Sequence, residues 1–210
     1  MRAGQSTNDQ EVEVKFLLSD QAALERRLLG LGASLLQPRI LEVNLRFDTP
    51  DGTLTARRQV LRLRQDAQSV MTYKGPSQDG IEVSARQEIE FTVSNFAAAQ
   101  HLLEALGYQV SVIYQKYRAM YALGPVVVTL DEMPFGFFAE IEGSDAAAIR
   151  AAAGQLGLDW QARSLDSYLV LFGRAKRSLG LEFRDLTFEN FLGITVLAED
   201  IKLLPADLTG

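Results

Sequence analysis

Charged and apolar residues alternate along much of this chain. In Glu11-Val12-Glu13-Val14-Lys15-Phe16, the residues Glu11, Glu13 and Lys15 share one phase and Val12, Val14 and Phe16 the other. A period of two predicts a β-strand with one charged and one apolar face. The same alternation predicts strands over 36–48, 60–66, 69–75, 81–93, 109–121, 124–132 and 136–142. Between them, Leu and Ala recur at helical spacing after Ser19, Ser94 and Ser144, and those segments end at Gly32, Gly107 and Gly157. Ser predicts the cap and Gly the stop. The Ser-to-Gly interval is the same in all three, which reads as one strand–helix unit used three times; the uneven spacing between units excludes a solenoid. Thr49-Pro50-Asp51-Gly52 and Gly75-Pro76-Ser77-Gln78-Asp79-Gly80 read as turns. A last helix is predicted over 164–173.

Three helices cover only part of the apolar strand faces, and the opposite faces are unusually charged. An open sheet leaves that face to solvent. A closed barrel turns it inward, tolerable only if both signs of charge, water and a ligand share the interior. The charge pattern favours the barrel, an α+β fold of eight antiparallel strands with helices packed outside.

Composition narrows the chemistry. The chain has 210 residues, 47% of them hydrophobic and 23% charged, as in ordinary globular proteins. It has no cysteine, so disulfides and thiolate metal sites are excluded. Its one histidine, His101, lies on a helical pattern and reads as a surface residue, which disfavours histidine-based catalysis. No apolar run reaches the roughly 20 residues that span a bilayer. Residues 1–10 are polar, without the apolar core of a signal peptide, and are expected to form a flexible leader on a cytoplasmic protein. A net charge of −6 disfavours nucleic-acid binding, which draws on a basic surface.

The charged positions nonetheless form two sets in phase with the strands. The acidic set is Glu11, Glu13, Glu88, Glu90, Asp131, Glu140 and Glu142; the basic set is Lys15, Arg62, Arg64, Lys74, Arg86, Lys116 and Arg118. Carboxylates without His or Cys suit Mg²⁺ or Mn²⁺. Arginines at alternate strand positions present guanidinium forks that match phosphate oxygens. Together they describe a site for a metal-bound polyphosphate. No P-loop is present, since Tyr73-Lys74-Gly75-Pro76 lacks its glycine spacing.

These residues, in order, resemble the CYTH or triphosphate tunnel metalloenzyme superfamily, which includes class IV adenylyl cyclases, thiamine triphosphatases and inorganic triphosphatases. Glu11-x-Glu13-x-Lys15 matches its signature. Leu-Arg-Leu-Arg at 61–64, Thr72-Tyr73-Lys74-Gly75-Pro76 and Arg86-x-Glu88-x-Glu90 follow. Lys116-x-Arg118, Thr129-x-Asp131 and Glu140-x-Glu142-Gly143 complete the likeness, which covers residues 11–172. The resemblance implies an eight-stranded antiparallel tunnel, dependence on Mg²⁺ or Mn²⁺, and a small-molecule substrate bearing a triphosphate. It implies Glu11, Glu13, Glu88, Glu90, Glu140 and Glu142 as metal ligands. Lys15, Arg62, Arg64, Lys74, Arg86, Lys116 and Arg118 would hold the triphosphate, with Lys15 and Asp131 the catalytic candidates.

Two departures bear on the activity. Gln5-Ser6 stands where the cyclases carry His-Phe, which counts against cyclisation. Asn44 replaces an Asp common on the second strand, with Arg46 where an aromatic is frequent; Arg46 reads equally well as a phosphate contact or a surface residue. The leading expectation is a triphosphatase, the alternatives being a class IV adenylyl cyclase and a non-catalytic polyphosphate- or nucleotide-binding module. Residues 11–173 form the expected tunnel domain. In the remainder, 174–210, the basic run Arg174-Ala-Lys176-Arg177 is expected to be solvated. Leu186 to Val196 is too apolar to float free and is expected to dock on the barrel or on a partner subunit, as in a homodimer. Tyr168 is expected to pack the last helix against the barrel, with a place at the tunnel mouth as the alternative.

Overall fold

The computed structural model describes residues 10–76 and 84–208. Eight antiparallel strands form a closed barrel. They are β1 (Gln10–Leu18), β2 (Ser34–Asp48), β3 (Val60–Gln65), β4 (Ser69–Lys74), β5 (Ser84–Val93), β6 (Gln109–Leu123), β7 (Val126–Met133) and β8 (Gly136–Gly143). Their order around the barrel is β1-β5-β4-β3-β2-β6-β7-β8, and β1 pairs with β8 to close it. Residues 1–9 of the predicted leader, most of the loop after Gly75 and the start of the fifth strand lie outside the described residues, while Gln10, the leader's last residue, opens β1. No described helix is long and apolar enough to cross a membrane.

Alternation sorts the faces as expected. Val12, Val14 and Phe16 point outward into a core with Val128, Leu130, Ala139 and Ile141, covered by α1 (Gln21–Gly30) and α4 (Ala146–Gln155) through Leu24, Leu28, Ile149 and Leu156. A second outer core joins Leu45, Phe47, Leu63 and Met71 to Leu103 of α3 (Phe96–Ala105). The three helices have equal length, but their caps sit one residue later than predicted. Asp20, Asn95 and Asp145 accept from the amides of Ala23, Ala98 and Ala148, while Ser19 turns its hydroxyl to Asp207. Both residue types cap, and the backbone geometry at each helix start selects the Asp or Asn over the Ser before it. Gly32, Gly107 and Gly157 take positive φ just past the helix ends.

Two helices differ from expectation. The Pro50 turn runs into a short α2 (Thr53–Ala56), whose amides are gathered by Asp48: its carboxylate accepts from Thr49, Leu54 and Thr55. The last helix, α5 (Tyr168–Leu179), starts four residues later than predicted. Ser164 exchanges backbone hydrogen bonds with Lys15, Ser167 supplies the cap, and Gly180 ends the helix in the left-handed conformation. The predicted boundary at 173 therefore falls inside a helix. Two of the three residues of its basic run are engaged rather than solvated: Arg174 pairs with Asp166 at 2.6 Å, and Lys176 donates to the Phe183 carbonyl, while Arg177 is exposed as expected.

The segment beyond α5 packs on its own barrel. Phe191 meets Phe135, Phe172 and Phe183, with ring centroids 5.3–6.2 Å apart. It also supplies partners to strand edges that neighbouring strands have left. Leu186 exchanges hydrogen bonds with Ile113 and Gln115 of β6, where pairing with β7 has ended, and Ala206 donates to Leu17 of β1. Inward-facing Leu17, Met133 and Phe138 join this aromatic cluster, so apolar side chains fill the β1–β8–β7 side at one end of the barrel.

Candidate functional site

The barrel encloses a cavity of about 900 Å³ lined by the charged phase of the strands. Of the predicted site residues, Glu13, Lys15, Arg62, Arg64, Lys74, Glu88, Glu90, Lys116, Arg118, Glu140 and Glu142 line it. Asp131 is fully buried in the seam between β6 and β8. Glu11 and Arg86 are register partners on β1 and β5, and their side chains lie outside the described set.

The lining is bipolar. Adjacent strands β8, β1 and β5 contribute Glu140, Glu142, Glu13, Glu88 and Glu90, with Lys15 among them. Adjacent strands β4, β3, β2 and β6 contribute Lys74, Arg62, Arg64, Arg46, Lys116 and Arg118, with Glu42 among them. Like charges also meet in register: Glu13 lies opposite Glu142, and Arg46 opposite Arg62. Directly opposed like charges are destabilising, so the first pair favours a cation between them and the second an anion.

Internal ion pairs hold this interior together. Lys15 bonds Glu140, and Arg118 bonds both Glu140 and Asp131, the latter at 2.5–2.6 Å. Lys116 reaches Asp131 at 3.0 Å and Glu42 at 3.5 Å, and Lys74 pairs with Glu88 at 2.8 Å. Burial works against each charge, but the partners outweigh it. Lys15 is raised by Glu140 and Glu13, and Glu140 is held well below the usual carboxylate range by Lys15 and Arg118. Arg118 is raised well above its usual value by Asp131 and Glu140. All three are locked in their charged forms.

Sequence reasoning missed three residues. Glu42, 1% exposed, faces Lys116, Arg64 and Arg118 at 3.5–4.0 Å, and these cations overcome burial to lower its pKa to about 2. It shares a phase with Asn44 and Arg46, so extending that alternation by one step finds it. Tyr114 also lines the cavity and accepts a hydrogen bond from Arg62 at 3.3 Å. Arg58, in the left-handed region at φ 56°, lines it beyond α2. Arg46 also lies in the cavity wall. Tyr168 does both things weighed for it: its ring packs on Phe138, while its hydroxyl donates to Asp131 at 2.8 Å beneath Lys15.

Among the described residues no group of three or more His, Cys, Asp or Glu converges tightly enough to cage a metal. The donor chemistry still fits a hard divalent ion. Mg²⁺ is commonly held by one or two carboxylates plus substrate oxygens and water, and the opposed Glu13 and Glu142 offer such a pair.

Residues 9–156 match the CYTH domain. Over 135 residues the chain is 33% identical to adenylate cyclase CyaB of Aeromonas hydrophila, covering 62% of this chain and 67% of that protein. The structure of a Vibrio parahaemolyticus protein named as a candidate adenylate cyclase is similar at TM-score 0.70 and 26% identity. The match covers 79% of this chain and 99% of that one. A Hippeastrum adenylyl cyclase candidate, described as having a dominant triphosphatase activity, shares the fold at TM-score 0.57 and 21% identity, over 78% of this chain and 95% of that one. The chain belongs to the CYTH family. Members of this family are triphosphatases or class IV adenylate cyclases and typically depend on a divalent metal.

Proposed function

We propose that this protein hydrolyses a small molecule bearing a triphosphate, inorganic, nucleoside or thiamine-linked, with Mg²⁺ or Mn²⁺. The observation that carries the reading is the bipolar lining: carboxylates on β8-β1-β5 facing ammonium and guanidinium groups on β4-β3-β2-β6. A triphosphate chain with its cation is the ligand that satisfies both arcs. Glu13 and Glu142, with Glu11, Glu88, Glu90 and Glu140, hold the metal, which when bound offsets phosphate charge and polarises phosphoryl oxygens. Lys15, Arg62, Arg64, Lys74, Arg86, Lys116 and Arg118 hold the phosphate chain. Asp131 keeps Lys116 and Arg118 aimed inward, and Lys15 stabilises the charge that grows on the oxygens of the phosphorus under attack. Residues 11–173 serve as the tunnel domain, with the segment from 174 docked on it.

A second reading, cyclisation of ATP to cyclic AMP and pyrophosphate, draws support from the identity to the Aeromonas protein. The test offers tripolyphosphate, ATP and thiamine triphosphate side by side with Mg²⁺ or Mn²⁺. Orthophosphate without cyclic product is expected. Cyclic AMP with stoichiometric pyrophosphate replaces the first reading with the second. Tight metal-dependent binding without turnover of any of the three makes the protein a binding module.

A further inference from the structure

The middle of the basic arc contains two neutral side chains that the proposed function does not use. Tyr114 on β6 and Asn44 on β2 are register partners, and Asn44 is also opposite Arg64 on β3. Asn44 is fully buried on the inward phase of β2, and neither its amide nitrogen nor its amide oxygen has a hydrogen-bond partner. A buried amide with both ends unsatisfied is uncommon and calls for an outside partner, water or ligand. Tyr114 lines the cavity with its hydroxyl toward Arg62, whose Nη1 donates to it at 3.3 Å while Nη2 donates to Thr72 at 3.1 Å. The phenol oxygen is thus an acceptor, and among the described residues its own proton meets no acceptor.

The setting is anionic in preference. Lys116 is two residues along the same face of β6, and Arg62 is in contact. Burial raises the phenol's pKa, but Arg62 and Lys116 outweigh it and the net direction is down. A phenol so flanked is a better donor than a free tyrosine. Its backbone is fixed on both sides: β2 pairs along one edge, and the bridge to Leu186 of the C-terminal segment holds the other. That bridge comes from a part of the chain beyond the matched CYTH region, so the segment from 181 onward braces the strand that carries Tyr114.

We infer that Tyr114 is a substrate-contact residue: its O–H donates to a non-bridging oxygen of the bound phosphate chain between Arg62 and Lys116, and Asn44, buried behind it, completes this neutral subsite through one water. The inference rests on the triphosphate reading of the cavity. It adds a position at which the chain is recognised by geometry and not by charge, since a phenol O–H points at one oxygen whereas an ammonium attracts any.

The test is binding of tripolyphosphate, with Mg²⁺, to the full-length chain carrying ¹³Cζ-labelled tyrosine. The resonance that disappears in Tyr114→Phe identifies the residue among the six tyrosines. Saturation with tripolyphosphate is expected to shift that resonance, and Tyr114→Phe to weaken binding at least about ten-fold, the scale of one hydrogen bond to a charged group, while the thermal transition stays cooperative. Asn44→Leu is expected to weaken binding less than additively with Tyr114→Phe, as for groups sharing one ligand atom or water. A resonance that stays still while the wild type binds tripolyphosphate overturns the contact, even if the Phe variant binds weakly, because Tyr114 then acts only through Arg62. That outcome leaves the proposed function standing. A wild type that does not bind tripolyphosphate overturns both.

Discussion

Glu42 offers a direct measure of how strongly the cavity depends on its own counter-ions. It is 1% exposed, with Lys116, Arg64 and Arg118 at 3.5–4.0 Å, and titrates near 2 against an ordinary 4.5. By linkage that difference contributes about 3 kcal/mol to folding. Because the folded pKa is depressed, the contribution is complete above the unfolded value of 4.5 and drains away as pH falls through the folded value near 2. Glu42→Gln keeps the shape and removes the charge, turning an NH₂ group toward three cations. The variant is expected to unfold about 3 kcal/mol more readily at pH 7, a gap that narrows to about 1 kcal/mol at pH 3 by the same relation. Urea denaturation of both proteins at pH 7, 5 and 3 measures it. Equal stability at pH 7, or a gap that ignores pH, would refute the electrostatic account and leave shape as the cause. The same variant should bind tripolyphosphate more tightly, since one competing anion has left the basic arc. Weaker binding would mean that Glu42 serves the ligand directly and not as an internal counter-ion.

Further consequences concern the two arcs and the tail. Glu140→Ala or Arg64→Ala should lower turnover of the preferred triphosphate at least about 100-fold while leaving a cooperative thermal transition; wild-type rates in either variant would dismiss the tunnel assignment. Glu13→Gln removes both the repulsion from Glu142 across β1–β8 and an attraction to Lys15, so the ligand-free protein should change by less than about 1 kcal/mol, whereas the thermal stabilisation by Mg²⁺ with tripolyphosphate should shrink. Phe191→Ala should cost about 3–5 kcal/mol in chemical denaturation, because its ring is 5% exposed within the cluster that fills one end of the barrel. A loss below about 1 kcal/mol would show that the tail adheres without supporting the fold.

The strands were legible because a wall with a charged inner and an apolar outer face has no other pattern than period two. The charged phase also favours the closed barrel that is found, but register was not legible, since nothing local in β1 tells which strand it meets; only the pairing of Lys15 with Glu140 and of Glu13 with Glu142 reveals it. Like-signed pairs two residues apart, such as Arg62 and Arg64, announced the site. Glu42 escaped because its neighbours in phase are a neutral amide and a cation, so it resembled no pair. Tyr114 escaped because an aromatic residue in an alternating strand is indistinguishable from packing until its hydroxyl is located. The caps at Asp20, Asn95 and Asp145 stood beside equally suitable serines, and backbone geometry alone chooses between them. The late start of α5 has a tertiary cause: the residues before it are hydrogen-bonded to β1.

The bipolar lining also explains how so many charges stay inside a stable barrel. A buried ion that loses its partner costs several kcal/mol, and Lys15, Arg118 and Lys116 each have a carboxylate within reach. An anion arriving alone would draw these cations away and strand Glu140 and Asp131; a cation arriving alone would do the reverse. A phosphate chain arriving with a divalent ion brings both signs, so each internal pair can open with both members re-partnered. Under the proposed function the barrel would thus discriminate by requiring the two components together, with the internal pairs setting that requirement. Glu42 and Lys15 enforce it from opposite sides: each is the minority charge in its arc, and each keeps that arc from accepting a lone counter-ion at full strength. Under the proposed function, Glu42 of the basic arc would then serve recognition without touching the ligand, and Lys15 of the acidic arc would serve it both by contact and as an internal counter-ion.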